Sequence, residues 1–473
     1  MSEGNHCRET EGRVVVLGGG LTGLSAGYAL SAAGRTVAVF EHDSVVGGIS
    51  KTVERNGFRF DLGPHRFFTK DARIEAFVKD LMGDELIVVP RRTEIFIRGK
   101  YFNYPLEPVN AVFGMGIFTT LRILANYGWE RIKRLVKKPV PVSLEDWVVA
   151  NFGRTLFNIY FKEYSEKVWG VDCSRISAEW VARRIRGLSL SKAVMYAFFK
   201  LKGRDIPSLV DQFLYPRMGI GRISEKLSRE IEQSGSVSLT TSVERIHRSG
   251  FTINSIEVKD QNGIRTINGN EFISSIPVTK LISLLDPPAP TGVREAAASL
   301  KFRDIVIVTV MVDRPRVTNQ TWIYIPEKNI PIGRIHEPTN WSSSMAPEGK
   351  TLLVTEFFSF EGDEIWNRSD DGLVSIAINS LVRLGYIRPA EVIESVVTRV
   401  PKAYPLFEVG YQKHLDVVYG FLAGFTNLHA AGRGGMFKYY NMDHAIKAGM
   451  DAAEKILNRR APVPEEKCEV ALS

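Results

Sequence analysis

Cysteine is scarce in this 473-residue chain, with only Cys7, Cys173 and Cys468 present. An odd count without a C-x-x-C spacing argues against a cysteine metal site and for a reducing compartment. The eight histidines form no H-E-x-x-H or clustered pattern, so no metal is expected. Long apolar runs are missing too: the best candidate, residues 110–135, is interrupted at Arg122, which excludes a membrane span. The opening MSEGNHCRETEGR has no apolar targeting core and points to a cytoplasmic protein. No internal repeat occurs. Nor is there a basic, aromatic-interleaved recognition module, so nucleic acid is not an expected partner. The net charge of +8 suits an anionic ligand or surface, and a basic solvated exterior explains it equally well.

What is present describes a globular chain. Hydrophobic residues make up 44% of it, and this length predicts about two or three domains. The organising stretch runs from Val14 to Glu41. Val14–Leu17 reads as a buried strand and Gly18, Gly20 and Gly23 give G-x-G-x-x-G at its end. Gly18 permits the tight turn, Gly20 lets backbone approach a pyrophosphate, and Gly23 lets the next helix sit close to the sheet. Phosphates would rest on free N–H groups at the helix start. Val37–Phe40 is the second strand, and Glu41 at its end is placed to accept from a ribose 2′-hydroxyl. Gly47 and Gly48 follow, then a short extended run, Phe58–Leu62, leading into Gly63-Pro64-His65. Spacing alone does not separate FAD from NAD.

Further along, Ala72–Leu81 reads as a helix and Thr93–Tyr104 as a hairpin through Arg98-Gly99-Lys100. Residues 110–135 are helical and apolar with a basic end, a pattern shared by a helix half-buried in an inserted domain and by an interfacial membrane helix. The half-buried reading is adopted, leaving peripheral membrane contact as a lesser expectation. Ser143-x-x-Asp146 starts another helix, and helical segments continue through the 150s, 170s and 190s. Arg183, Arg184 and Arg186 cannot all share one helical face, so one is surface while another is free to grip phosphate. Phe213–Arg222 is a glycine-rich turn into a helix over Ile223–Ile231. Strands are expected at Thr241–Ile246 and Phe272–Pro277, and then at Ile305–Val312, Thr321–Ile325, Ile332–His336 and Thr351–Phe358. In the tail, Ala431–Ala445 carries Gly432 and Gly435 and enters a small-residue-rich helix near Met442. Taken alone it reads equally well as a structural turn or as a backbone cradle for an oxygen-rich ligand.

The segments GPHRFFT at His65, YSEKVWG at 164–170, the arginines after Trp180, YPRMGIG at 215–221, WIYIPEKNIPIGR at 322–334 and KYYNMDHA at 438–445 occur in order. That order resembles the FAD-binding amine-oxidase and protoporphyrinogen-oxidase-like superfamily, and within it the UDP-galactopyranose mutases, over Arg13–Leu457. The resemblance implies an α/β chain with a Rossmann-like FAD domain, an inserted helical region and a mixed or antiparallel substrate sheet. Its implied boundaries are an FAD part at 12–90, a hairpin and helical insert at 91–206, a return to the FAD domain at 207–285, the substrate sheet at 286–400, a C-terminal return at 401–459 and a flexible tail at 460–473.

Carried over residue by residue, the resemblance puts Gly18, Gly20, Gly23, Glu41, Gly47, Gly48, His65, Val243, Gly432, Gly435 and Met442 at FAD, with Val243 at the adenine side. It puts Arg184 and Arg334 on a substrate pyrophosphate, and Tyr404, Tyr439, Tyr440 and Asn441 around the pyrophosphate and sugar. His65, Arg184 and Arg334 are the catalytic candidates. The implied activity is a redox-neutral pyranose–furanose exchange of a nucleotide-diphosphate sugar on reduced FAD, with NADPH or NADH as an external reductant. The alternative is net oxidation of a substrate by FAD, because Phe68 stands where a mutase loop can carry a second histidine and the NMDHA tail also resembles the oxidoreductase branch.

Overall fold

The computed structural model describes residues 12–97, 99–103, 117–136, 140–179, 181 and 211–459. At its centre a five-stranded sheet runs in the order Leu428–Ala430, Glu271–Ser274, Val14–Leu17, Val37–Phe40, Ser236–Ser238, parallel throughout. Successive side chains on a strand point to opposite faces, and here both faces are covered. Val14 and Val16 therefore join one apolar cluster, with Leu24 and Ile446, while Val15 and Leu17 join another, with Ile256 and Phe272. The helix Leu21–Ala32 follows the glycine turn. It is approached so closely that a Cβ on Gly449 of the last helix would lie 2.2 Å from the Thr22 carbonyl oxygen.

A seven-stranded sheet forms the other half, in the order Val392–Pro405, Phe302–Val312, Thr351–Ser359, Arg334–His336, Trp322–Tyr324, Thr93–Ile97, Lys100–Asn103. Every pairing is antiparallel except Trp322–Tyr324 with Thr93–Ile97. Val306, Val308, Val310 and Val312 face the helix Asp370–Arg383, while Ile305, Ile307 and Met311 face Phe58, Phe60 and Leu62. The expected hairpin is the edge of this sheet. The regions read as 91–206 and 286–400 are thus joined by main-chain hydrogen bonds.

The helical layer contains Ile117–Val136, Leu144–Phe152 and a continuous run from Arg154 to Trp169 with a π turn at Phe157–Phe161. The helix starts where expected, and Ser143 and Asp146 cap it reciprocally. Arg98, Tyr104, Arg183, Arg184, Arg186 and the helices expected in the 190s lie outside the described residues.

Some expected strands are shorter than the sequence suggests, Thr321–Ile325 reducing to Trp322–Tyr324. Phe272–Pro277 ends at Ser274, because Pro277 caps the helix Val278–Ser283. Ile332–His336 begins at Arg334, its approach being held from outside the sheet by a hydrogen bond to the Ile332 carbonyl.

Candidate functional site

One end of the site is glycine backbone. Gly18 has φ +102°, and Gly20 caps the helix Leu21–Ala32 without contributing a side-chain hydrogen bond, so the first-turn N–H groups are offered to a ligand anion. Gly20 bridges to Gly47, and Gly47 N donates to Gly19 O at 2.8 Å. Glu41 is buried, accepting from Gly19 N at 2.7 Å and Asp43 N at 2.9 Å. His42 Nδ1 also lies 2.8 Å from Glu41 Oε1, so of the carboxylate's roughly four acceptor sites about one is left for a ribose hydroxyl. Thr241 N donates to Glu41 O at 2.8 Å, which brings half-buried Val243, two residues on, to the same strand end. Glu41, His42 and Asp43 group three possible metal ligands, but Lys51 Nζ already lies 2.5 Å from Asp43 Oδ2.

The tail meets this unit. A Cβ on Gly432, which has φ +78°, would lie 2.4 Å from Thr22 Oγ1, and one on Gly435 would lie 2.7 Å from Ser274 O. Thr22 Oγ1 also donates to Ala445 O at 3.0 Å, and Met442 is buried at the start of the last helix. The two glycine segments, more than four hundred residues apart in sequence, are therefore in contact, as a cofactor held from both ends requires. The residues present fit FAD: a backbone cradle, an acidic ribose partner and a second glycine-lined wall.

The other end lies under the seven-stranded sheet. Arg334 and Glu356 are register partners on adjacent strands. Arg334 Nε and Nη2 donate to Glu356 Oε1 and Oε2 at 2.9 and 2.6 Å, and Glu356 is fully buried. Burial, the largest single influence, works to lower the Arg334 pKa, but Glu356 together with Tyr404 and Tyr164 outweighs it and the guanidinium is held well above its ordinary value. Beneath the pair runs Gly63-Pro64-His65, and a Cβ on Gly63 would come within 3.2 Å of Glu356 Oε1.

His65 Nε2 lies 3.1 Å from Leu62 O. A carbonyl can only accept, so Nε2 carries the proton and Nδ1 is the acceptor. Desolvation, then Arg433 and Arg334, push His65 down to about 3. It is uncharged across the working pH range. Below about 6.5 the unfolded chain gains a proton here that the folded chain refuses, so this residue makes stability fall as pH drops from 6.5 toward 3. His65→Asn is expected to flatten that slope, measured by urea unfolding at pH 7.5 and pH 5. A pH–rate profile of the loaded enzyme is expected to show no limb that His65→Asn removes.

Arg433, in the GRGG turn, was not singled out by sequence. Its guanidinium lies 4.4 Å from the Tyr404 ring centre and 4.9 Å from that of Tyr439, and those rings stack at 5.8 Å. Nη1 reaches Tyr440 O at 3.5 Å, while Nε and Nη2 are buried with no hydrogen-bond partner. Buried guanidinium N–H groups without acceptors are costly, and a ligand oxyanion is the natural complement. Tyr404 reaches this position through a bulge: the edge strand loses register between Val400 and Tyr404, where Lys402 has φ +53° and its N–H donates to Asp304 at 2.6 Å. Bulges commonly redirect side chains beside functional sites.

Lys167 lies within YSEKVWG, where no local pattern singles it out. Its ammonium lies 2.7–3.0 Å from the carbonyls of Ile325, Glu327, Ile330 and Ile332, three N–H groups shared among four oxygens, and clasps the loop between Tyr324 and Arg334. Desolvation pulls Lys167 down to about 7, with Glu327 and Glu163 opposing. Four carbonyl dipoles favour the charged form as well. The same helix sets Tyr164 edge-on to Tyr324, with ring centres 5.6 Å apart, and Trp169 edge-on to Tyr404 at 6.4 Å.

Of the expected site residues, the structure thus groups Gly18, Gly20, Gly23, Glu41, Gly47, Gly48, Gly432, Gly435 and Met442 at one end. His65, Arg334, Tyr404 and Tyr439 lie at the other. Tyr440 stacks instead on His444, and Asn441 is exposed. Arg184 is outside the described residues. Cys173 is buried and pushed up to about 12, chiefly by desolvation, which suits packing rather than nucleophilic chemistry.

The fold and site together define a dinucleotide-binding α/β protein with Arg334 and Arg433 on the sheet side of the site. The chain belongs to the family of flavin containing amine oxidoreductases, whose model matches residues 21–457. It is accordingly an FAD-dependent flavoenzyme of that superfamily. Among solved structures, a reduced UDP-galactopyranose mutase superposes with TM-score 0.80 at 22% identity, covering 94% of this chain and 95% of that one. A putative protoporphyrinogen oxidase from Exiguobacterium gives 0.72 at 18% identity, covering 94% and 98%. At these identities the likeness is one of fold. Among curated relatives, chloroplastic protoporphyrinogen oxidase 1 of Spinacia oleracea is 23% identical over 85% of this chain and 76% of its own length. Coproporphyrinogen III oxidase of Staphylococcus aureus is 21% identical over 94% of this chain and 98% of its own.

Proposed function

We propose that this flavoenzyme is a nucleotide-sugar mutase that exchanges pyranose and furanose forms on reduced FAD. The observation that carries the reading is Arg433, half-buried between two tyrosines with two of its nitrogens buried and unpartnered, and Arg334 acting on the same Tyr404. Such a site suits a diphosphate whose charge rises as the sugar departs. The likeness to the mutase fold supports the same reading.

Gly18, Gly20, Gly23, Glu41, Gly47 and Gly48 would hold FAD from one side and Gly432, Gly435 and Met442 from the other, with Val243 toward the adenine. Reduced flavin supplies the nucleophile for the anomeric carbon, with no net oxidation, and NADPH or NADH would keep it reduced. Arg433 and Arg334 bind the departing diphosphate, with Arg184 as the further expected clamp. Arg334, already paired with Glu356, serves more as a fixed donor wall than as a free charge. His65 stays neutral and presents Nδ1 as an acceptor, while Tyr404, Tyr439 and the more peripheral Tyr440 and Asn441 orient the ligand and exclude water.

A second reading, net oxidation by FAD, is favoured by the curated relatives, which are named protoporphyrinogen and coproporphyrinogen oxidases. Anaerobic incubation of chemically reduced enzyme with a panel of nucleotide sugars separates the two. The mutase reading expects an isomer of unchanged mass, formed over many turnovers without consumption of reductant. A product two hydrogens lighter, made only by oxidised enzyme and accompanied by flavin reduction, would replace it with the oxidase reading.

A further inference from the structure

We propose that the outward face of the helix Ile117–Val136 is a docking surface for an anionic lipid bilayer. Among the described residues, the helix packs against its own protein through one narrow side only. Ile123 is buried and Tyr127 half-buried in the cluster that includes Val148, Phe152 and Phe157. Opposite them the helix is apolar and open: Phe118 is 86% exposed, Leu121 58%, Trp129 58% and Ile132 56%. At about 100° per residue these four and Ala125 fall within an arc of roughly 80°, which Leu124 widens on one side.

Cations border the stripe on both flanks. Arg122 and Lys133 project beside Phe118 and Trp129, and Arg131 follows on the far side of Leu124; all three are exposed. Lys133 lies 5.6 Å above the Trp129 ring, its stem along the apolar face and its charge at the rim. Glu130 is the only acid in the helix, half-buried toward the protein side and paired with Lys133 at 3.1 Å.

Aromatic and aliphatic side chains between two cationic rims match the layering of a bilayer surface, where acyl chains lie below anionic headgroups. A second copy of this chain is a poorer occupant. Pairing through the same stripe would gather six flanking cations into one interface, against a single half-buried acid in each helix. Among the described residues no helix is long and apolar enough to cross a membrane, so this one would lie in the surface.

The test is flotation of the full, flavin-loaded chain with vesicles of phosphatidylcholine alone or mixed with phosphatidylglycerol. Flotation is expected only with the mixed vesicles and is expected to weaken as salt is raised. Leu121→Gln with Ile132→Gln is expected to lower partitioning roughly tenfold or more. Arg122→Gln and Lys133→Gln are expected to lower it about fivefold each. All four side chains are exposed, so flavin content and thermal midpoint are expected to stay at parental values. Phe118→Ser provides an independent test of the stripe should the double variant misfold. Absence of flotation, or flotation indifferent to the apolar substitutions, overturns the proposal. It is equally overturned if the double variant converts an oligomer to a smaller species by light scattering, which would make the stripe a contact between copies.

Discussion

Glu356→Gln is expected to cost about 3–5 kcal/mol of folding stability, because it leaves the Arg334 guanidinium withdrawn from water without its counter-charge. Arg334→Met removes the other partner and is expected to cost a similar amount at neutral pH. The two deficits should separate on acidification. In Arg334→Met a buried carboxylate is left without a counter-charge, and acid can neutralise it, so the deficit should shrink as pH falls. In Glu356→Gln the guanidinium cannot release its proton, and acid gives no such relief. Added nucleoside diphosphate should return part of the Glu356→Gln deficit, up to about 2.7 kcal/mol at a hundred times its dissociation constant. Urea unfolding at pH 7.5 and 5, with and without the nucleotide, measures all of this. Equal small losses for both variants would mean that the pair is solvated and Arg334 is available as an ordinary clamp.

That pair also shows how far the sequence could be read. Arg334 was identified from a segment resembling mutases, but its partner was invisible, since Glu356 is a cross-strand neighbour and register between distant strands has no local signature. Arg433 escaped for a related reason. Its meaning comes from Tyr404 and Tyr439, which an edge-strand bulge and the start of the tail bring to either side of it. By contrast, the unit from Val14 to Glu41 was legible almost to the residue. Its information is local: a β-branched run buried on both faces, glycines at a fixed spacing and an acid at the end of the next strand.

The strand Val392–Pro405 was missed because Glu394, Arg399 and Lys402 interrupt its apolar pattern and Pro401 lies within it. An edge position tolerates both. Lys167 lies in a motif that resembles the family, yet nothing in YSEKVWG reveals four carbonyls from a loop more than 150 residues away. These long-range contacts converge on the sheet end of the site. Lys167 fixes the loop that precedes Arg334, the strand pairing fixes Glu356, and the bulge at Lys402 fixes Tyr404. The cofactor end is specified by local backbone geometry, whereas the substrate end is specified by tertiary register. Family resemblance was therefore more informative about the first than about the second.

The glycines of the first turn allow the largest effect to be divided between folding and binding. A Cβ on Gly23 would lie 2.0 Å from Gly18 O and 3.1 Å from Val16 Cγ1. The closest clash is with backbone in the tightest part of the turn, so Gly23→Ala has no side chain to push aside. It is expected to cost several kcal/mol, of the order of severe core overpacking, and to yield little folded protein. Gly20 is different. Its φ of −75° is open to any residue, and a Cβ there would meet only Gly48 Cα, at 4.0 Å. The apoprotein should accept Gly20→Ala with a stability change within about 1 kcal/mol. The methyl group would nevertheless occupy the space through which backbone approaches a pyrophosphate, so flavin binding should be lost or greatly weakened. Purified Gly20→Ala is therefore expected to be colourless, to unfold in urea close to parental apoprotein, and to bind FAD poorly on reconstitution. Stoichiometric, tightly held FAD in Gly20→Ala would show that the diphosphate does not pass over Gly20. A stable, yellow Gly23→Ala protein would show that the helix can move away from the turn, contrary to the close contact described here.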